Sequence, residues 1–364
     1  MNRTGEQFFE LLKGGIWNVD IKQSLFERHV DWPHIMQLAE MQSVIGVVFD
    51  GIQKLPKPLL PGMDLLMDWL GQSSHLEEKN KDHNKELHQL VDYLNSVGIA
   101  SRLLKGQGCG TYYPNALHRQ CGDIDLFVGM EQYERAKDAL KAKGCIIERE
   151  SKKDAHFGWN GIPVELHRLE ALMYNPLLNN TFQKICRKEE WCSNSYVTID
   201  GNKLAVMNPT FNVFLVFVHI WHHFVLVGVG LRQVCDWILM MNAEEQNINW
   251  DKLYYFLKRM GILRAWRTFY RLSVITIGLK LQNAPGWMEG ACEYDVKLVL
   301  NDIMTVGNVG KHSETMRKRS IGKGITGNVG SYFALLKRLC KIFRFGRCEV
   351  IGYIVYKSIH GVNS

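Results

Sequence analysis

The chain has 364 residues, of which 46% are hydrophobic and 22% are charged, and its formal net charge is +7. This composition is typical of a globular protein with ample core, and it excludes a disordered or fibrous chain. The length predicts about two domains.

The nine cysteines are scattered without regular spacing and include no Cys-x-x-Cys pair. This pattern predicts reduced thiols in a cytoplasmic protein rather than a disulfide framework. Residues 1–7 lack the apolar run of a signal peptide, which agrees with a cytoplasmic location.

A helical region is predicted over residues 1–60. Phe8 and Leu12 belong to an apolar stripe at helical spacing, and Asp31 is a favourable N-cap for a second helix. Residues 55–62 contain three prolines and a glycine, so the N-terminal helical region is expected to end there.

Residues 61–206 are predicted to form a small mixed β-sheet core, opened by a long helix. Asn160-Gly161 and Asp200-Gly201 are strong signals for hairpin turns. Alternation with period two predicts strands at 99–104, 123–128, 145–149, 155–159, 162–167, 196–199 and 203–206, with helices at 106–113 and 131–143.

Residues 207–364 are predicted to be a C-terminal helical domain, so the fold class is α+β with helical regions flanking the sheet. The stretch 211–231 is long enough to span a membrane, but it contains His219, His222 and His223. Because ionisable groups at bilayer depth are costly, we expect a buried helix and no membrane span. The predicted helices cover 210–226, 231–243, 250–260, 262–279, 294–305 and 331–345, with a flexible loop at 307–330.

Two aspartates open the second predicted strand, in Gly122-Asp123-Ile124-Asp125-Leu126. Asp123 and Asp125 share one face of the strand because side chains alternate along it. Two adjacent carboxylates repel each other, so their pairing indicates a cation between them.

A third acid lies on the predicted strand 162–167, where Glu165 and His167 share a face. Together with Asp123 and Asp125, Glu165 would complete a three-carboxylate cluster able to hold two Mg²⁺ ions. Three other acids nearby in sequence compete with Glu165 for this position: Glu148, Glu150 and Asp154.

A glycine-rich turn, Lys105-Gly106-Gln107-Gly108, follows the first predicted strand and enters a helix. Its backbone N–H groups and its lysine are suited to binding phosphates. The sequence therefore predicts a phosphate site beside the acidic strand.

Residues 98–206 resemble the DNA polymerase β-like nucleotidyltransferase superfamily, and more narrowly an uncharacterised bacterial branch of it. In that superfamily a Gly-rich turn opens a helix, an Asp-x-Asp lies on the next strand, and a later strand brings a third acid. Many members have Gly-Ser in the turn, whereas this chain has Gly106-Gln107. The matching motifs are Lys105-Gly106, Tyr113-Pro114, Arg119, Gly122-Asp123-Ile124-Asp125-Leu126 and Val164-Glu165-Leu166-His167.

The resemblance implies a Mg²⁺-dependent enzyme that moves a nucleoside monophosphate from a nucleoside triphosphate to an unidentified acceptor by a two-metal mechanism. It implies Asp123 and Asp125 as ligands shared by two Mg²⁺ ions, and Glu165 as the ligand of the ion that activates the acceptor hydroxyl. Phosphate charge would be neutralised by Lys105 and, through a bidentate contact, by Arg119. The predicted phosphate-binding residues are Lys105, Gly106, Gln107, Gly108 and Arg119.

The acceptor side of the cleft is predicted to be lined by polar residues of the C-terminal helices. The pattern His219-x-x-His222-His223 also resembles a metal-binding helix, because residues three and four apart share a face. A zinc site there would need a third ligand such as Asp236, so an acceptor wall or a buried polar network is the favoured interpretation. The predicted acceptor-side residues are His167, His219, His223, Arg232 and Asp236.

Two other classes of function stay open. A catalytically inactive module that binds a nucleotide or a partner on the same fold would explain the absence of serine after Gly106. Nucleic-acid binding is a further alternative, although a solvated helical face is the more common explanation of clustered basic residues. The basic residues concerned are Lys311, Arg317, Lys318, Arg319, Lys323, Lys337, Arg338, Lys341, Arg344 and Arg347.

Overall fold

The computed structural model describes residues 2–192, 195–307 and 338–360. Helices surround two β-sheets, one of five strands and one of two. This architecture confirms the predicted α+β class. The predicted loop at 307–330 beyond Gly307, and the predicted helix at 331–345 up to residue 337, lie outside the described residues.

The N-terminal part consists of helices whose starts agree with their capping residues. Asn2 and Asp31 accept hydrogen bonds from the backbone N–H groups of Gly5 and His34. These contacts satisfy N–H groups that the first turn of each helix leaves unpaired. The helices are α1 (Arg3–Trp17), α2 (Trp32–Met41), α3 (Ile45–Ile52) and the long α4 (Met63–Ser96).

The five-stranded sheet has the strand order β1-β2-β5-β4-β3. Strands β2 and β5 are parallel and the other neighbours are antiparallel, so the sheet is mixed as predicted. The first strand is much shorter than the predicted strand at 99–104. The elements are β1 (Arg102–Leu103), α5 (Gly106–Gly110), β2 (Ile124–Phe127), α6 (Gly129–Ala142), β3 (Ile147–Glu150), β4 (Asp154–Trp159) and β5 (Ile162–His167).

Both predicted hairpins are confirmed. Asn160 and Gly161 have φ values of 47° and 84°, and Asp200 and Gly201 have values of 46° and 81°. Two successive positive φ angles are the requirement of a type I′ turn, which suits the twist of the flanking strands. The second hairpin joins β6 (Ser195–Ile199) and β7 (Asn202–Val206), which follow an unpredicted helix, α7 (Pro176–Glu189).

The C-terminal part is helical, as predicted. Helix α8 is the one described helix long and apolar enough to cross a membrane, and 67% of it is buried inside the protein. It therefore packs as a core helix. The helices are α8 (Pro209–Leu226), α9 (Leu231–Ala243), α10 (Trp250–Arg259), α11 (Leu263–Leu272), α12 (Glu293–Val306) and α13 (Arg347–His360).

Two hydrophobic clusters form the core. The larger one joins N-terminal residues such as Phe8 and Phe49 to C-terminal residues such as Trp221. The smaller one fills the space between the sheet and its covering helices, with Leu87 of α4 and Ile124 of β2 as members. The domain boundaries at residues 60 and 206 stay a prediction, but the N-terminal and C-terminal helices share one core while the sheet has its own.

Part of the basic C-terminal segment is engaged in ion pairs. Arg338 lies 2.9 Å from Asp302, and Arg344 lies 3.1 Å from Asp295. These contacts connect the last described segment to α12. The basic residues from 311 to 337 lie outside the described residues.

Candidate active site

The register of the strands brings two predicted acids together on one face of the sheet. Asp125 of β2 lies opposite Glu165 of β5, and His156 of β4 lies opposite Glu165 on the other side. The neighbouring apolar residues, such as Ile124 and Leu166, are buried in the smaller core cluster. Because side chains alternate along a strand, the polar row faces away from that core.

Asp125 is 3% exposed and lies between Lys105 and His167. Its Oδ1 is 3.0 Å from Lys105 Nζ and 2.8 Å from His167 Nε2. Burial disfavours the charge of Asp125, but Lys105 and His167 outweigh it and hold the pKa of Asp125 well below its ordinary value. Asp125 is therefore an ionised carboxylate at neutral pH.

Asp123 is half-buried in the wall of a cavity of about 650 Å³ that Asp125 and Glu165 also line. Burial and then the charge of Asp125 raise the pKa of Asp123. A cavity of this volume is large enough for a small ligand. We call it the acidic cavity, and its predicted site residues are Lys105, Gly106, Arg119, Asp123, Asp125, Glu165, His219, His223, Arg232 and Asp236.

Glu165 lies between two histidines. Its Oε2 is 3.4 Å from His167 Nε2, and its Oε1 is 3.4 Å from His156 Nδ1. Burial would raise the pKa of Glu165, but the hydrogen bond with His167 contributes to a net lowering. Glu165 belongs to two groups whose ligand atoms all lie within 4.8 Å of one another, one with Asp125 and His167 and the other with Asp154 and His156.

The three rival acids have other surroundings. Glu150 pairs with Lys137 at 2.7 Å, and Glu148 lines a separate cavity. Asp154 is buried and pairs with Lys153 at 2.8 Å. Of these acids and Glu165, Glu165 is the one paired in register with Asp125.

The turn after β1 combines an unusual backbone with an ion pair to the buried Asp125. Lys105 has a φ of 45°, and Gly106 follows at 52°. A non-glycine residue in a sparsely populated backbone region costs of order 1–3 kcal/mol, and such residues cluster at functional sites. In this conformation the Lys105 side chain reaches Asp125.

The next two turn residues do not line the acidic cavity. A Cβ on Gly108 would lie 3.3 Å from Leu103 Cδ2, so this glycine allows α5 to pack closely on β1. Gln107 is buried beside a smaller cavity, and its amide atoms have no hydrogen-bond partner in the described part of the chain. The phosphate contacts predicted for Gln107 and Gly108 stay a prediction.

Arg119 is engaged by Asp236. Its Nε and Nη2 lie 2.8 Å and 2.7 Å from the two carboxylate oxygens, and both side chains are 6% exposed. The hydroxyl of Tyr113 donates to the same carboxylate at 2.8 Å. The Nε–Nη2 edge of Arg119 is therefore occupied by Asp236, while its Nη1 lies 3.4 Å from the carbonyl oxygen of Gln120.

Arg232 keeps spare hydrogen-bond donors at the wall of the acidic cavity. Its Nη1 donates to the carbonyl oxygen of Gln120 at 2.9 Å, while its buried Nε has no partner among residues 2–192, 195–307 and 338–360. Burial and then the charge of Arg119 lower the pKa of Arg232, although a guanidinium stays charged at neutral pH.

His219 and His223 of α8 lie in the wall between the acidic cavity and a second cavity. Their ring centroids are 4.3 Å apart. Burial lowers the pKa of both imidazoles, that of His223 to about 3, so both rings are neutral. Within the described residues, neither histidine belongs to a group with the spacing of metal ligands.

His83 of α4 is a site-supporting residue that the sequence did not indicate. It is 1% exposed, and its ring nitrogens lie 2.8 Å from the carbonyl oxygen of Lys79 and 3.3 Å from that of Gly122. His83 therefore fixes the loop that leads into Asp123. Residues 39 positions apart make this contact, so no local pattern could reveal it.

A family model described as uncharacterised nucleotidyltransferase matches residues 28–276. The chain belongs to this nucleotidyltransferase family. The matched range contains the whole five-stranded sheet and every predicted site residue. The resemblance seen in the sequence is thereby confirmed, and the family belongs to the nucleotidyl-transferring class of enzymes.

A comparison with curated proteins found no match. Among solved structures, the solution structure of the antibiotic-resistance factor ANT(2'')-Ia is similar with a TM-score of 0.36 and 11% sequence identity, over 52% of this chain and 94% of that chain.

Proposed function

We propose that the protein transfers a nucleoside monophosphate from a nucleoside triphosphate to an acceptor hydroxyl, with Mg²⁺ bound by Asp123, Asp125 and Glu165. The observation that carries this proposal is the register pairing of Asp125 with Glu165 at the acidic cavity. Asp123 lines the same cavity, two residues before Asp125.

Asp125 and Glu165 offer carboxylate oxygens within 4.8 Å of one another, with Asp123 in the wall of the same cavity, and this donor set fits Mg²⁺. Carboxylate oxygens are the ligands that Mg²⁺ prefers, and two or three of them suffice because the ion keeps several waters. Asp125 is also held in the ionised form that a metal ligand requires, although Lys105 Nζ would have to share this carboxylate with the ion. When bound, a pair of Mg²⁺ ions would stabilise the attacking and leaving oxygens together.

Residues of the chain supply the other parts of the reaction. The acceptor oxygen forms a bond to the α-phosphorus while the bond to the bridging oxygen breaks, and pyrophosphate leaves with that electron pair. Glu165 would take the proton of the acceptor hydroxyl. Lys105 and the unpaired Nε of Arg232 would neutralise phosphate charge, whereas Arg119 would contribute by holding Asp236.

A catalytically inactive nucleotide- or partner-binding module is the second candidate. The position of Gln107 favours it, because the residue that replaces the turn serine faces a different cavity from the acids. Lys105 and His167 also stabilise the ionised form of Asp125 without any metal. Pyrophosphate release over a panel of acceptors distinguishes this module from an enzyme.

The experiment that tests the proposal is calorimetric titration of ATP, GTP, CTP and UTP with Mg²⁺. We expect at least one nucleotide to bind, and Asp123→Asn and Asp125→Asn to abolish the Mg²⁺-dependent part of its affinity. Asp68→Asn, on the exposed surface of α4, is the matched control and should behave like the parent. Absence of binding by all four nucleotides would contradict the proposal.

We also infer a reducing, cytoplasmic environment for the enzyme. All nine cysteines are free, and four of them are buried. Disulfides are rare in reducing compartments, so this state of the thiols supports the proposed location.

A further inference from the structure

A second cavity, of about 710 Å³, adjoins the acidic cavity. A volume of this size suits a small organic molecule. A ligand in the second cavity could extend past the shared wall to the carboxylates. The shared wall consists of Lys105, Lys153, Val216, His219 and His223, which line both cavities.

Glu170 is the unusual residue of the second cavity. Both of its carboxylate oxygens are buried, and neither makes a hydrogen bond of normal geometry with any described residue. The nearby Cys186 thiol is a weak donor, and burial raises the pKa of Glu170 to about 7. Burial of a carboxylate without a strong hydrogen-bond donor is costly, and a cationic ligand group beside Glu170 would offset that cost.

An aromatic cluster lies at the same cavity. The ring centroid of Tyr174 is 4.9 Å from those of Tyr353 and Tyr356, and 5.7 Å from that of His222. Tyr174, Tyr356 and His222 line the cavity. Aromatic faces attract organic cations through their quadrupoles, and a carboxylate that lines the same cavity adds to that attraction.

We propose that the second cavity binds the acceptor as a small hydroxylated amine, with its ammonium group between Glu170 and the Tyr174–Tyr356 aromatic cluster. Its hydroxyl would point past His219 and His223 toward the acidic cavity. This proposal deepens the proposed function and rests on it for the reaction. The new bond joins the acceptor oxygen to the α-phosphorus, pyrophosphate leaves, and the hydroxyl proton passes to Glu165.

Two other occupants are consistent with parts of the lining. Arg149 and Lys152 are exposed residues of the cavity and would attract an anionic acceptor. The nucleoside of the triphosphate would fit the same volume. The buried carboxylate favours the amine over both, because neither alternative supplies a cationic partner for Glu170.

Ligand-observed NMR titration of the full chain tests the proposal with three sugars that differ in one group. Glucosamine carries an ammonium, glucose is neutral, and glucose 6-phosphate is anionic. We expect glucosamine to bind about tenfold or more tightly than glucose, as one charge-assisted contact provides. Glu170→Gln should remove this preference, whereas Glu78→Gln, exposed on α4, should retain it.

A second variant tests the same cavity in case Glu170→Gln does not fold. Tyr174→Leu removes the aromatic face while Glu170 remains, and it should weaken glucosamine binding without changing the binding of glucose. Equal binding of glucosamine and glucose to the parent would overturn the proposal. Tightest binding of glucose 6-phosphate would overturn it in favour of an anionic acceptor.

Nucleotide titrations separate the two proposals. If Glu170→Gln weakens the binding of Mg²⁺ nucleotide as much as that of glucosamine, the cavity holds the nucleoside and the acceptor proposal is wrong. If the parent binds glucosamine through Glu170 but binds no nucleotide, the amine site stands and the proposed function fails.

Discussion

The buried pair of Arg119 and Asp236 allows a double-mutant cycle that separates structural support from phosphate binding. The two side chains share hydrogen bonds of 2.8 Å and 2.7 Å at 6% exposure. Removing one partner of such a pair costs about 3–5 kcal/mol, because the other charge stays buried and unpaired. We therefore expect Arg119→Met and Asp236→Leu each to lower the free energy of unfolding by about that amount.

The double variant should cost less than either single variant. With both charges gone, the main group left without its partner is the hydroxyl of Tyr113, which donates to Asp236 in the parent. An unsatisfied buried hydroxyl costs about 1–3 kcal/mol. Adding Tyr113→Phe to the double variant should recover part of that loss.

The assay is urea unfolding followed by tryptophan fluorescence, together with titration of Mg²⁺ nucleotide. Nucleotide affinity should change little in any variant that remains folded at the temperature of the titration. If the free energy of unfolding of Arg119→Met lay within about 1 kcal/mol of the parent's and the variant nevertheless lost nucleotide binding, a mainly structural role of Arg119 would be refuted. That result would assign Arg119 to the phosphates.

Three further predictions concern the site and its scaffold. Because burial raises the pKa of Asp123, the Mg²⁺ affinity measured by calorimetry should begin to fall, on acidification, at a pH above the ordinary pKa of aspartate. Lys105→Met should shift the start of this fall to a higher pH, because Lys105 lowers the pKa of Asp123. Burial lowers the pKa of His118, but hydrogen bonds with acidic side chains outweigh it and raise the pKa above its ordinary value. The stability that these hydrogen bonds provide is therefore complete below pH 6.5 and is lost as the pH rises through the raised pKa. The urea midpoints of the parent and of His118→Gln should converge as the pH rises through that value. In thermal unfolding, Gly71→Ala should stabilise the exposed face of α4 by about 0.5–1 kcal/mol, whereas Gly15→Ala, whose Cβ would overlap the Val47 carbonyl, should destabilise.

Local patterns in the sequence were sufficient to predict the strands that carry the site. The segment 162–167 has strict alternation, and Asn160-Gly161 has the backbone freedom that a type I′ turn requires. Both features depend on residues adjacent in sequence. The pairing of Asp125 with Glu165 follows once the parallel register is known, but the register itself depends on tertiary packing.

Other parts of the site depend on residues distant in sequence. The sequence predicts Arg119 as a phosphate ligand, but Asp236, 117 positions later, occupies one edge of its guanidinium. Glu170 carries no motif, and only the structure shows that its carboxylate is buried at a cavity with no hydrogen bond of normal geometry to the described residues. Helix α7 has a local signal in Asn175-Pro176, an N-cap followed by proline, so that helix was predictable.

We propose that Asp125 and Glu165, together with Asp123, bind divalent cations beside a nucleotide. Titration of Mn²⁺, monitored by electron paramagnetic resonance in the presence of a non-hydrolysable nucleoside triphosphate analogue, tests this binding directly. We expect nucleotide-dependent Mn²⁺ binding by the parent and its loss in Asp125→Asn and Glu165→Gln. Undiminished binding in both variants, or a parent that binds no Mn²⁺, would contradict it.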